Sequence, residues 1–391
     1  MQRTTLIVAA FMGFASAAFS VPTVPQDDAQ VIERVRERPL DANARELRTM
    51  RQALSKNPQD ITLATRMARR YIEEARSQAD PRFLGYAQAS LNPWWSQPRP
   101  PDAVLVLRAT IRQSTHDFDS ALADLSQVLK TAPANGQAWL TRATILQVKG
   151  EYTEAQRSCE PLEKLAPLFI SATCSAGIAA MTGQAEQSYK RLREIAQSNP
   201  AASEAEKIWV ETALAEIATR LDLRAQAEQH FKRAMQSGAA DPYLKSAYAD
   251  FLLDLARPAE VVRLLAADTR IDGLLLRLAL AEQVLGTPTA ENRIAQLRAR
   301  FDAANARGDR VHQREEARLH TQLLKDPRTG LRLAQANWDV QKEPADARVL
   351  LEAALAASEP AQAKPVVAWM RKNQVEDANL TRLVRRIEQL R

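Results

Sequence analysis

Residues 136–167 read GQAWLTRATILQVKGEYTEAQRSCEPLEKLAP, and the order of large and small side chains in this stretch decides the fold. Trp139, Ala143 and Leu146 recur at the three- and four-residue steps that place side chains on one face of a helix. Gly150-Glu151-Tyr152 makes a turn, and Ala155, Cys159 and Leu162 repeat the pattern on a second helix that Pro167 ends. The preceding segment keeps the same phase through Leu105, Ala109, Phe118, Ala121, Leu125, Val128 and Pro133. Pro133 and Pro167 stand one repeat apart, as do Phe118 and Tyr152, and Ala121 and Ala155. Small residues let paired helices approach, and bulky ones fill the gap between successive hairpins. Neither hairpin can bury its apolar stripe alone, so stacking is obligatory.

The pattern continues through Ala176, Gly183, Leu192, Ile195 and Pro200, then Leu214, Ala227, Phe231 and Ala234, then Tyr248, Leu252, Arg257-Pro258 and Leu265. Upstream, Ile61 to Trp95 is a degenerate unit with Ala68, Tyr71, Ala87 and Leu91 in place. These residues resemble the tetratricopeptide repeat, a helix–turn–helix of about 34 residues with a closing proline. The resemblance runs from Ile61 to Lys372 and is specific between Asp102 and Pro200. It implies an all-α, right-handed α-solenoid whose inner face, lined by the first helix of each pair, binds a protein or peptide. The lysine and asparagine stripe of the members that grip a peptide carboxylate is not apparent here. Exported members of the family also serve envelope assemblies such as polysaccharide export, so a structural subunit of such an assembly is the alternative reading.

Beyond Gly273 the phase blurs. Helices are expected over 274–285, 290–307, 311–325, 330–341, 345–357, 361–372 and 376–389. The segment from Gly330 to Leu355 reads either as one repeat or as the second helix of one pair and the first of the next. The expected organisation is a signal peptide (1–20), an N-terminal helical lead-in (21–60), tetratricopeptide-like repeats (61–272) and divergent helical repeats (273–391). The last helix exposes Arg382, Arg385, Arg386, Glu388 and Gln389 as a polar cap.

Only 11 glycines among 391 residues, and few alternating β-branched runs, exclude a mainly β chain. The 53 Lys and Arg are interspersed with 47 Asp and Glu, which makes a mixed, solvated surface and not the basic stripe that nucleic acid requires. The N-terminus has a basic start at Arg3, an apolar run from Leu6 to Phe19 and small residues at Ala15, Ala17, Ala18 and Ser20, the pattern of a cleaved secretory signal. The run is shorter than the roughly 20 residues that span a membrane, and no cysteine stands near it to carry a lipoprotein anchor. The expectation is a periplasmic protein with no membrane insertion after cleavage.

Cys159 and Cys174, the only cysteines, fall on adjacent antiparallel helices about equally far from Ala166-Pro167. A disulfide suits that geometry and an exported chain; the other reading is two small core residues. His312, Glu316 and His320 rise along one helix face at four-residue steps, a stripe that suggests metal handling. Successive turns are about 5.4 Å apart, so one helix cannot close all three around an ion, and the solvated-face reading prevails. No cofactor is expected, and no nucleophile–base spacing, phosphate loop or zinc-protease motif points to an enzyme. The candidate partner groove lies on two neighbouring first helices. Trp209, Glu216 and Arg220 on one, and Tyr243, Asp250 and Asp254 on the next, share the same offsets. Arg277, alone in the apolar run 273–280, is the candidate cation facing Asp250 or Asp254. Together they would make an aromatic anchor above a polar floor.

Overall fold

The computed structural model describes residues 42–198, 202–236 and 241–390. The N-terminal signal and most of the lead-in expected from the sequence lie outside them. The chain divides into two units, residues 1–49 and 50–391, and of the first only the start of α1 (Ala42–Lys56) is described.

The second unit is an α-solenoid of helical repeats, without strands among the described residues. It opens with α2 (Ile61–Gln78) and α3 (Arg82–Ser90), followed by the single turn α4 (Asn92–Trp95). Two hairpins follow: α5 (Asp102–Ser114) with α6 (Phe118–Thr131), and α7 (Gly136–Val148) with α8 (Tyr152–Cys159) and its short extension α9 (Leu162–Leu165). Then come α10 (Leu168–Ala179) with α11 (Ala185–Ser198), α12 (Glu204–Arg220) with α13 (Arg224–Gln236), and α14 (Pro242–Asp254) with α15 (Pro258–Leu265). A last long pair is α16 (Asp272–Leu285) with α17 (Ala290–Ala306). After it, α18 (Gln313–Arg318) runs into a π turn at Leu319–Leu323, and α19 (Pro327–Val340), α20 (Pro344–Ala356), α21 (Lys364–Asn373) and α22 (Ala378–Glu388) complete the unit. The helices expected beyond Gly273 are present within a few residues, and α19 packs against both α18 and α20.

Local chemistry sets these boundaries. Asn135, Asp241 and Asp377 accept from the backbone N–H three residues on, and Ser203 with Glu206 forms a reciprocal capping box. Between the two helices of each pair from α2/α3 to α16/α17, one residue adopts the left-handed conformation: Ala79, His116, Gly150, Gly183, Asp222, Ala256 and Gly286. Glycine does so without penalty, whereas a side chain there costs about 1–2 kcal/mol. The periodicity is therefore written in backbone conformation even where the sequence has no glycine.

Each hairpin buries its stripe against the next. Phe118, Leu125 and Ile145 share one core, and Leu192, Leu214, Phe231, Leu252 and Leu278 share another. A third core departs from simple nearest-neighbour stacking. It joins Leu146, Tyr152, Cys159 and Ile178 of the middle hairpins to Leu331, Trp338, Leu350, Val366 and Trp369 of the last helices. Trp338 and Trp369 meet edge to face with ring centroids 5.3 Å apart, and Tyr152 lies 6.5 Å from Trp369. The backbone N–H of Lys342 donates to Val148 O at 2.8 Å, and the Tyr152 hydroxyl donates to Lys342 O at 3.0 Å. The Ala185 N–H donates to Glu376 Oε2 at 2.7 Å. The C-terminal helices thus return onto the middle of the repeat array and bury an apolar core there. Cys159 and Cys174 form a disulfide with Cα atoms 5.8 Å apart, pinning α8 to α10 next to this junction.

Candidate functional site

The helical offsets place the expected groove residues on one face of α12, α14 and α16, and side-chain contacts run across these helices. The Tyr243 hydroxyl donates to Glu216 Oε1 at 2.5 Å, linking α14 to α12. Arg277 reaches back from α16 to Asp250 Oδ2 through Nε at 2.9 Å and Nη2 at 2.5 Å. Arg277 also donates to the carbonyls of Ser246 and Gly273, so all three of its nitrogens are engaged within the chain. The sequence had left Asp250 and Asp254 as alternative partners for this cation; it meets Asp250.

The polar floor of the stripe is engaged by the chain's own C-terminal helices. Arg318 Nη1 donates to Asp250 Oδ1 at 2.9 Å, which leaves that carboxylate clamped between two guanidiniums. Burial pushes the Asp250 carboxyl up, yet Arg277, Arg318 and Arg348 together hold it well below the usual carboxylate range. Asp254 takes both ends of the Arg348 fork, at 2.6 and 2.8 Å, and the Asn379 amide at 3.3 Å. Bidentate arginine–carboxylate pairs are strong and directional, so these contacts fix the position of α20 over α14. Arg220 lies against the Met181 sulfur, and its Nε is buried without a hydrogen-bond partner.

Next to the floor stands an acidic group that the sequence reading missed. Glu343 opens α20 in a reciprocal capping pair with Asp346, and Arg314 lies 3.8 Å from the first and 3.4 Å from the second. Burial and the Asp346 charge push the Glu343 carboxyl up to about 7; Arg314 and Arg220 oppose the rise, and Glu216 adds to it. Burial likewise raises Glu216 above its ordinary range, against the Tyr243 hydrogen bond and the Arg220 charge. The only sequence signal for Glu343 was the Glu-Pro-Ala-Asp start of a helix, which reads as a cap and carries no hint of the charges it faces.

The aromatic end of the stripe is different. Tyr243 is 58% exposed and Trp209 36%, on neighbouring first helices, and both are open to solvent. The groove is therefore divided into a floor closed by the chain itself and a mouth with two accessible rings.

Trp338 is buried. The histidine stripe is not brought together. Glu316 is buried and accepts from Asn305 Nδ2 at 2.7 Å, while His312 is the residue before α18. The π turn starting at Leu319 breaks the four-residue register before His320, whose Nδ1 lies 3.4 Å from Asp326. Among the described residues no three His, Cys, Asp or Glu side chains converge on a point where an ion could sit.

No family model matches the chain, and no curated protein matches it. Solved structures of similar fold include the Cut9–Hcn1 hetero-tetramer of the APC/C, 12% identical over 84% of this chain with a TM-score of 0.49. This chain spans 63% of the length of that one. A tetratricopeptide repeat protein from Parabacteroides merdae is 13% identical, with 73% of this chain and 98% of that one covered and a TM-score of 0.32. The human IFIT1 dimer with m7Gppp-AAAA is 12% identical, with 89% and 77% covered and a TM-score of 0.41. At such identities and TM-scores nothing of what those proteins do or bind is carried over to this chain.

Proposed function

We propose that the chain is a repeat scaffold that holds a protein or peptide partner at the mouth of the groove, with Trp209 and Tyr243 as its anchors. The observation that carries this reading is the exposure of two large aromatic rings on adjacent repeats, at the open end of a face that is otherwise closed. Exposed aromatics over a polar floor provide contact area at low entropic cost and are the residue types that dominate binding energy at interfaces. Glu216 and Arg220 lie on the same stripe below them, while Asp250, Asp254 and Arg277 hold the floor rigid and take no direct part in the contact. The reading assigns no catalytic residue. It includes export to an oxidising compartment, which the N-terminal sequence pattern and the Cys159–Cys174 bridge support.

The test is affinity capture from the native source with the wild-type chain and with Tyr243→Ala. Tyr243 is largely exposed, so its truncation should lower stability only by the roughly 1 kcal/mol of its hydrogen bond to Glu216 while weakening capture about thirty-fold, the ~2 kcal/mol of an aromatic hot spot. Undiminished capture by a folded Trp209→Ala, Tyr243→Ala double variant would remove the mouth as the partner site. Fractionation of the native host with an antibody to the chain checks the compartment; a cytoplasmic pool alone would contradict export.

A further inference from the structure

A second surface, remote in sequence from the aromatic mouth, combines an apolar floor with uncompensated positive charge. It is an open groove of about 620 Å³ between the π turn at Leu319–Leu323, the C-terminal end of α20 and the outer flank of α22. Its floor is Leu355, Ala356 and Leu383, and it ends at Leu390, which is 56% exposed.

The charges on its rim are unequal in effect. Glu352 shares the Arg348 guanidinium with Asp254, accepting from its Nε at 2.7 Å, and also accepts from the neutral Gln322 amide at 2.6 Å, so its oxygens are already engaged. Arg386, on the facing wall, has no carboxylate within ion-pair distance among the described residues, and neither has Arg385 beside it. Both are exposed. The helical offsets put Leu380, Leu383, Val384 and Ile387 on the inward side of α22, and the two arginines on the solvent side. On the opposite wall, α19 packs closely on the π turn, since a Cβ at Gly330 would collide with Thr321 Oγ1, and Gln322 donates to Glu352.

We propose that this groove is a docking surface for a short partner segment that pairs apolar side chains with an acidic one, the apolar groups entering over Leu355 and Leu383 and the carboxylate meeting Arg386. This rests on the reading of the chain as a binding scaffold but uses a different surface from the mouth. Charge complementarity selects the occupant. A neutral apolar segment would leave Arg386 unpaired at the edge of a desolvated contact, and a basic one would face like charge.

The experiment is a selection from a displayed library of random 12-residue peptides on the immobilised full chain, followed by binding measurements on the enriched peptides. Arg386→Glu and Leu390→Asp alter exposed side chains and should leave the fold intact, which their melting curves check. The expected result is a set of peptides pairing Asp or Glu with Leu, Ile or Phe. Their affinity should fall at least ten-fold with either variant, weaken as salt rises, and stay unchanged in Trp209→Ala, Tyr243→Ala. The proposal is overturned if no peptide is enriched, if the enriched peptides lack acids, or if they bind both variants as well as the wild type. Peptides sensitive only to the Trp209 and Tyr243 changes would also overturn it while supporting the mouth as the partner site. Vesicles with an anionic phosphatidylserine surface serve as the competing probe. Binding to them that Arg386→Glu abolishes, with no peptide enriched, would assign the arginines to a membrane surface instead.

Discussion

The return of the C-terminal helices onto the middle hairpins can be tested energetically through Tyr152 and Trp369, which are far apart in sequence and adjacent in the fold. Both are buried, at 5% and 7% exposure, with ring centroids 6.5 Å apart and planes inclined at 50°. Trp369 also packs edge to face on Trp338, so Trp369→Ala should cost about 3–5 kcal/mol as a core aromatic truncation. Tyr152→Phe should cost about 1 kcal/mol, the net worth of the hydrogen bond to Lys342 O. Tyr152→Leu should cost more, since it also removes the ring. The informative quantity is the coupling in the Tyr152→Leu, Trp369→Ala double-mutant cycle. An aromatic pair contributes about 0.5–1.5 kcal/mol beyond its buried area, and the double variant should be less destabilised than the sum of the singles by that amount. Urea denaturation followed by far-ultraviolet circular dichroism gives each term from midpoint and slope. Additivity within about 0.3 kcal/mol would mean that the rings do not meet, and would refute the reasoning.

Two further outcomes follow from the charges and the bridge. The folded state holds the Glu343 carboxyl at about 7, above the roughly 4.3 of a free glutamate, so the folded chain binds more protons than the unfolded one between these values. Stability from this group is present below about pH 4.3 and is lost as pH rises through 7. Glu343→Gln should therefore leave stability almost unchanged at pH 4.5 and raise it at pH 8 by about 1–3 kcal/mol, allowing for a side chain that is 31% exposed. Thermal melts at the two pH values decide it, and an equal effect at both would show that Glu343 titrates normally. Reduction of Cys159–Cys174, which encloses a sequence separation of 15, should remove about 3 kcal/mol, read as a lower melting temperature in dithiothreitol; no shift would make the bridge energetically idle.

How much of this was legible in the sequence depends on the range of the interaction. The hairpins between Asp102 and Pro200 were readable because their signals are local: Ala143 against Ala155, Gly150 in the turn, Pro167 at the end. The disulfide and the Arg277–Asp250 pair were also within reach, since each joins neighbouring helices whose offsets the repeat fixes. Helical spacing shows which residues share a face, but not which element covers that face. Asp250 and Asp254 read as part of a polar floor with Arg277 as the candidate cation, and Arg318 and Arg348 from far along the same chain also engage them. The left-handed turns at His116, Asp222 and Ala256 were hidden because none carries glycine. The π turn broke the spacing on which the histidine stripe depended. Glu343 looked like an ordinary helix cap, and only its distant neighbours make it unusual.

The claim on which the rest turns is that the C-terminal helices return onto the middle hairpins, and a covalent trap measures it directly. A Cβ at Gly150 would lie 3.2 Å from the Cβ of Lys342, within a few tenths of an ångström of the spacing that disulfides require. In the Gly150→Cys, Lys342→Cys variant, mild oxidation followed by non-reducing peptide mapping should give an intramolecular 150–342 cross-link beside the native 159–174 bridge. Folded monomer in which both new thiols remain open to alkylation would place the C-terminal helices elsewhere and contradict the account.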